Sequence, residues 1–145
     1  MNSGESFRDY PQTVGQALQY CSDALEKSDV FFGHGTDNAW DEAAQIVLAI
    51  ADLPADSDDS MLPLPLGDKA LVRLQDLLHR RINERLPLPY LLGRAWFAGL
   101  EFRCDQRAII PRSPIAELIL GEFQPWYSGS GPSRILDLCC GGGCI

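Results

Sequence analysis

The apolar residues of this chain change their period near residue 93, and that change limits the fold more than any other feature. Upstream they recur every three to four positions, the spacing that gives a helix one buried stripe. Downstream they alternate, which gives a strand one buried face. A chain carrying the two periods in separate blocks reads as α+β rather than as a pure bundle or a pure sheet. The blocks divide into a helical domain over residues 1–86, a β-hairpin linker over residues 87–111, and the first helix and strand of an α/β domain over residues 112–145.

After a ragged lead-in over residues 1–11, Thr13 and Gln16 form a capping box: the hydroxyl accepts from a free amide and the glutamine reaches back. Val14, Ala17, Leu18, Cys21 and Leu25 then make the stripe of a first helix, closed by Lys27 and Ser28. "FFGHGTDN", residues 31–38, reads as a turn with His34 an exposed loop residue between two glycines. Asp37 or Asn38 caps a second helix, with Asp41 and Glu42 in the first turn, where the helix dipole favours negative charge. Its buried side is read as Trp40, Ala43, Ala44, Val47, Leu48 and Ala51. Residues 52–68, rich in proline and acids, read as a mobile connector. Asp68 caps a third helix with Leu71, Leu74, Leu78 and Ile82 on one face and Arg73, Arg80, Arg81 and Arg85 on the rest. None of these helices is stable alone, but three apolar stripes can bury one another.

Past Gly93 the alternation puts Trp96, Ala98, Leu100, Phe102 and Cys104 on one face and Phe97, Glu101, Arg103 and Asp105 on the other. With Gly99 as the turn, residues 94–104 read as a hairpin, followed by an extended run at Ala108, Ile109 and Ile110. Ser113 caps a further helix and Pro114 fits its first position, whose amide has no partner. Ile115, Leu118, Ile119 and Phe123 form the inner face of that helix, and Pro125 lies past its end. "SGSGPS", residues 128–133, is a flexible turn, and residues 134–138 read as a buried strand of a parallel sheet.

Composition removes several classes of function. Residues 1–60 carry a net charge of −10 and residues 61–145 a net of +2. An acidic first half argues against direct nucleic-acid binding and suits a basic partner. No apolar run approaches the ~20 residues of a membrane helix, and the start lacks a secretory pattern, so the protein reads as cytoplasmic with no membrane partner. The five cysteines form no C-x-x-C pair and no histidine lies near them, so no metal site is expected; they read as reduced packing residues.

The chemistry concentrates in "RILDLCCGGGCI", residues 134–145. A strand that runs into a glycine turn exposes backbone amides at its carboxyl edge, where α/β sheets place ligands. Gly141 and Gly143 lack a β-carbon, so a ligand can lie against the main chain there. The D-x-x-x-G-x-G spacing differs from the G-x-G-x-x-G dinucleotide fingerprint, which disfavours a nucleotide-binding oxidoreductase.

This segment resembles the first motif of S-adenosylmethionine-dependent methyltransferases with a Rossmann-like fold. Upstream, "LPLPYLLGRAWFAGLEFRCDQRAIIPRSPIAELI", residues 86–119, resembles the domain joint of the protein-(glutamine-N5) methyltransferases. Residues 111–118, with Ser113-Pro114 after Pro111-Arg112, resemble the branch acting on the third protein of the large ribosomal subunit rather than the release-factor branch. The resemblance implies S-adenosyl-L-methionine as cofactor and a large-subunit ribosomal protein as partner, with a helical domain that recognises it. It implies that Asp137 fixes the turn and orients the cofactor, that Cys139 contributes backbone, and that Gly141 and Gly143 let the main chain approach. Pro111 and Arg112 would sit near the pocket. Cys140 and Gly142 stand where the family often has Thr and Ser.

The family's Asn-Pro-Pro-Tyr loop and its ribose-binding acid do not occur in this sequence. No catalytic residue is therefore assigned here, and the chain is read as the front of a truncated methyltransferase domain, inactive by itself. An alternative from another class is a non-catalytic binding module that docks on a basic ribosomal or release-factor protein.

Overall fold

The computed structural model describes residues 10–129 and 134–145, and the chain parts into two compact units between Leu92 and Gly93. The architecture is α+β: five helices and one antiparallel two-stranded sheet among the described residues. The lead-in over 1–9 and residues 130–133 of the expected flexible turn lie outside the described residues.

The first unit is built on α1 (Val14–Glu26), α2 (Ala39–Ile50) and α3 (Asp68–Ile82), closed by a short α4 (Leu88–Leu92). The leading amides of Val14, Gly15 and Gln16 in α1, which no helix can satisfy internally, all find acceptors. Val14 donates to the Leu64 carbonyl at 3.0 Å and Gly15 to that of Leu62 at 2.9 Å, while Ala17 bonds back to Thr13. Gln16 N–H donates to Thr13 Oγ1 at 3.3 Å, and the Gln16 side chain accepts from the Gln12 amide at 2.8 Å. The 52–68 connector is thus a cap for α1 and not a mobile segment. One turn of 3₁₀ helix at Asp59–Met61 and the Thr13–Pro65 bridge hold it.

The stripe of α1 is buried as its spacing requires, down to Leu25 and Cys21 at 0% exposure. In α2 the cap is Asn38, whose side chain accepts from Asp41 N–H at 2.9 Å. In α2 Ala43, Val47 and Leu48 are buried as expected, but the arc extends to Ala39, Glu42, Ile46 and Ile50, while Trp40 is 49% exposed. Gly67, not Asp68, caps α3, which buries Leu74, Leu77, Leu78 and Arg81. Fully burying a residue such as Ile46 or Leu74 contributes about 1.5–3 kcal/mol.

Arg81 does not decorate the surface. Its guanidinium forms a buried pair with Glu42, and its Nη2 donates to the Phe31 carbonyl at 2.9 Å. Glu42 also accepts from Thr36 Oγ1 at 3.3 Å, so helix α3, helix α2 and the loop between α1 and α2 meet at one satisfied polar centre. His34 in that loop is half-buried, its ring edge-on to Phe31. Leu88–Leu92, expected within the hairpin linker, is helical because Pro89 falls in a first turn, where no amide is needed.

In the second unit, β1 (Arg94–Phe97) and β2 (Leu100–Arg103) pair antiparallel, with Phe97 opposite Leu100 and Trp96 opposite Glu101. The two-residue turn Ala98–Gly99 has both φ positive, as a tight hairpin demands. Such a turn inverts the parity of the face: Ala95 and Phe97 share a face with Phe102 and Leu100, while Trp96 is 54% exposed. Carrying one alternation straight through the turn therefore puts Trp96 and Phe97 on the wrong sides.

Ile110 is buried, but residues 108–110 form no strand; Ala108 N–H instead closes a turn on the Asp105 carbonyl. Helix α5 spans Ile115–Leu120 and stops short of Phe123. Pro114, not Ser113, is the cap residue of α5, though the Ile115 amide donates to Ser113 Oγ at 3.2 Å. The strand expected over 134–138 is not formed. A parallel strand exists only through neighbours, and the described residues supply none to this segment.

Candidate functional site

The turn that follows residues 134–138 alternates left-handed positions: Cys139 at φ 60°, Gly141 at 56° and Gly143 at 70°. The Gly143 amide closes it on the Cys140 carbonyl at 2.8 Å. Two of the three left-handed positions are glycines, which take that conformation without steric cost; Cys139 bears a cost of about 1–2 kcal/mol. A β-carbon placed on Gly143 would meet nothing within 4 Å, and one on Gly141 only the Cys139 carbonyl at 3.9 Å. The main chain is bare on that side, and a ligand can approach it.

Within the second unit this turn lines a concavity of about 440 Å³. Of the residues singled out from the sequence, Pro111, Arg112, Asp137, Cys139 and Gly141 lie on its wall; Gly143 belongs to the same turn but not to the wall. Residues 25 or more positions apart in the chain are thus gathered at one place. The wall also takes in Phe97, Ile110 and Phe123, which sequence reasoning did not assign to a site. Phe97 was legible had the parity inversion at Ala98–Gly99 been applied, because it then falls on the inward face. Apolar walls with a few polar groups suit a ligand that is partly apolar and carries a recognisable charged end.

Over nearly its whole length the sequence matches proteins of known naming. It is 45% identical over 133 residues to a ribosomal protein uL3 glutamine methyltransferase of Xanthomonas campestris pv. campestris, covering 92% of this chain and 43% of that relative. Proteins of the same name from Francisella tularensis and Xylella fastidiosa are 42% and 44% identical, with the same coverage. The chain is homologous to these glutamine methyltransferases. It spans less than half the length of the curated relatives it matches. No family profile matches the chain.

The thiols of this chain divide into two kinds. Cys21 and Cys104 are buried packing residues, as expected, whereas Cys139 and Cys140 are exposed on the glycine turn. Burial pushes the Cys104 thiol up, with the charge of Asp105 adding to it, and burial likewise raises Cys144. Both therefore stay protonated at neutral pH and are poor nucleophiles. Among the described residues no cluster of three or more His, Cys, Asp or Glu side chains could hold a metal ion, and no helix is long and apolar enough to cross a membrane.

Proposed function

We propose that the protein is an S-adenosylmethionine-dependent methyltransferase acting on a glutamine side-chain amide of ribosomal protein uL3. In this reading the described chain supplies the partner-recognition helices and the opening of the donor pocket. The observation that carries the proposal is the concavity walled by Pro111, Arg112, Asp137, Cys139 and Gly141, in a chain 42–45% identical to enzymes of that naming. The bare main chain at Gly141 and Gly143 fits the amino-acid and ribose portion of the donor, and Asp137 orients it. In a protein of the relatives' length, residues 134–138 become a strand of a Rossmann-like sheet, with Leu136 and Leu138 covered by neighbouring strands.

The bound donor supplies an electrophilic methyl group for in-line transfer. An amide nitrogen is a weak nucleophile, so the rate depends on holding it close and accepting its proton, which is a task of positioning. None of the residues on this wall is assigned that task. The expected outcome is that the 145-residue chain binds S-adenosylmethionine in preference to NAD by titration calorimetry, yet transfers no radiolabelled methyl group to purified uL3. Turnover by this chain would overturn the division of labour. Binding of uL3 without any donor affinity would favour a non-catalytic docking module.

A further inference from the structure

The helical unit displays one large aromatic side chain that is both exposed and fixed. Phe31 is 73% exposed, an unfavourable setting for a phenyl ring, yet its backbone is anchored and its ring rests on Gly33 beside His34. Its carbonyl accepts from Arg81 Nη2 at 2.9 Å, and two residues earlier the Asp29 carbonyl accepts from Arg85 Nη1 at 2.6 Å. The ring lies over Gly33, where a β-carbon would meet Phe31 Cε1 at 2.8 Å, and it stands edge-on to His34 at 6.1 Å between centroids. Thr36 ties the far end of the loop to Glu42. Glycine at position 33 is needed because any side chain there would displace the ring.

We propose that Phe31 is the anchor through which this unit binds a lysine- or arginine-bearing segment of a protein partner; the inference rests on the protein-substrate reading above and names the surface that serves it. A ring already held in one orientation loses little entropy on binding, which is the usual character of an interface anchor. The charge around it selects the partner. From Ser28 to Asp68 the sequence holds nine acids and no lysine or arginine. Asp29, Asp37 and Asp41 are exposed on the loop and the first turn of α2. Among the described residues two arginines bond this loop: Arg81 is neutralised by Glu42, and Arg85 donates to the Asp29 carbonyl and keeps its charge. A cationic side chain arriving here meets a free aromatic face for cation–π contact and carboxylates for its charge.

The test is fluorescence anisotropy of labelled, purified uL3 titrated with the 145-residue chain. Phe31→Ala should weaken binding at least tenfold with an unchanged circular dichroism spectrum. Asp29→Asn with Asp37→Asn should weaken it less and flatten its salt dependence. S-adenosylmethionine affinity should not change in either variant. Unaltered uL3 binding by Phe31→Ala overturns this inference and leaves the proposed function standing. Absence of uL3 binding by the unmutated chain overturns the protein-partner reading itself. Loss of self-association in Phe31→Ala by sedimentation, with uL3 binding intact, reassigns the ring to a second copy and also overturns it.

Discussion

The two units use similar proportions of apolar sequence to different effect. In the helical unit Ala17, Cys21, Leu25, Ala43, Ile46, Val47 and Leu74 are all at 0% exposure. In the other, Ile135, Leu136 and Leu138 are 75–79% exposed and Trp126 reaches 83%. The cause is the reach of the hydrogen bonds. A helix satisfies its backbone locally and needs only another stripe to pack on, which α1, α2 and α3 provide within 70 residues. A buried parallel strand needs partners on both edges before its side chains have anything to be buried against. Apolar sequence therefore specifies an interior only where the partners it needs are also present.

The buried Arg81–Glu42 pair gives the largest handle on that contrast. Arg81→Ala leaves Glu42 charged and without its counter-ion inside the helical unit, which costs about 3–5 kcal/mol. Trp40 reports on this unit and Trp96 on the other, so each can be followed in a protein lacking the remaining tryptophans. The expected result is a large fall in the denaturation midpoint read at Trp40. An equal fall read at Trp96 would make the chain one cooperative block and erase the distinction. Replacing both partners, Arg81→Met with Glu42→Leu, should cost far less than the single change, because no charge is then stranded.

How much of this was legible follows the same division. The Thr13–Gln16 cap and the stripe from Val14 to Leu25 were readable because every group involved lies within a dozen residues. The Arg81–Glu42 pair was not, since it spans 39 positions and each charge had a plausible local role at a helix end. A signal existed: Glu42 precedes Ile46 and Ile50 by one and two helical steps, and Arg81 follows Leu74 and Leu77 at the same spacing, so both lie on apolar arcs. The site residues were legible as a motif, but their gathering with Phe97 was not. That depends on the parity change at Ala98–Gly99, which alternation alone conceals. The strand at 134–138 was read correctly as apolar and failed to form for want of neighbours.

Alkaline pH gives a second, smaller probe of the helical core. Burial, reinforced by the nearby Glu42, pushes the Cys21 thiol up to about 12 from 9.0. Below pH 9 the thiol is protonated in the folded and unfolded chain alike. Between pH 9 and 12 only the unfolded chain gives up the proton, so stability falls as pH rises, by about 1.4 kcal/mol at pH 10. Chemical denaturation at pH 8 and pH 10 should show that loss at Trp40, and Cys21→Ala should remove the pH-dependent part while adding a constant cost. An identical pH dependence in the alanine variant would mean that Cys21 is not sealed in the core.

The smallest expected effect lies on the surface of the second unit. Arg107 donates to both Asp105 oxygens, from Nε at 2.9 and 3.1 Å and from Nη2 at 2.7 Å, and its backbone amide adds a bond at 3.0 Å. Those bonds hold the Asp105 carboxyl at about 2, below its ordinary 3.8. The contribution to folding is present above pH 3.8 and disappears as pH falls through 2. Solvent screens the exposed pair, so Asp105→Asn should shift the Trp96-monitored midpoint only slightly at pH 7 and by less at pH 2, where the carboxyl is about half protonated. The sharper readout is the carboxyl carbon resonance of Asp105, expected to titrate near 2 and to return towards 3.8 in Arg107→Gln. A midpoint near 3.8 in the unmutated protein would mean that the turn at Asp105–Arg107 is open in solution. The ordered surface of the second unit would then shrink to the hairpin, sharpening its difference from the helical one.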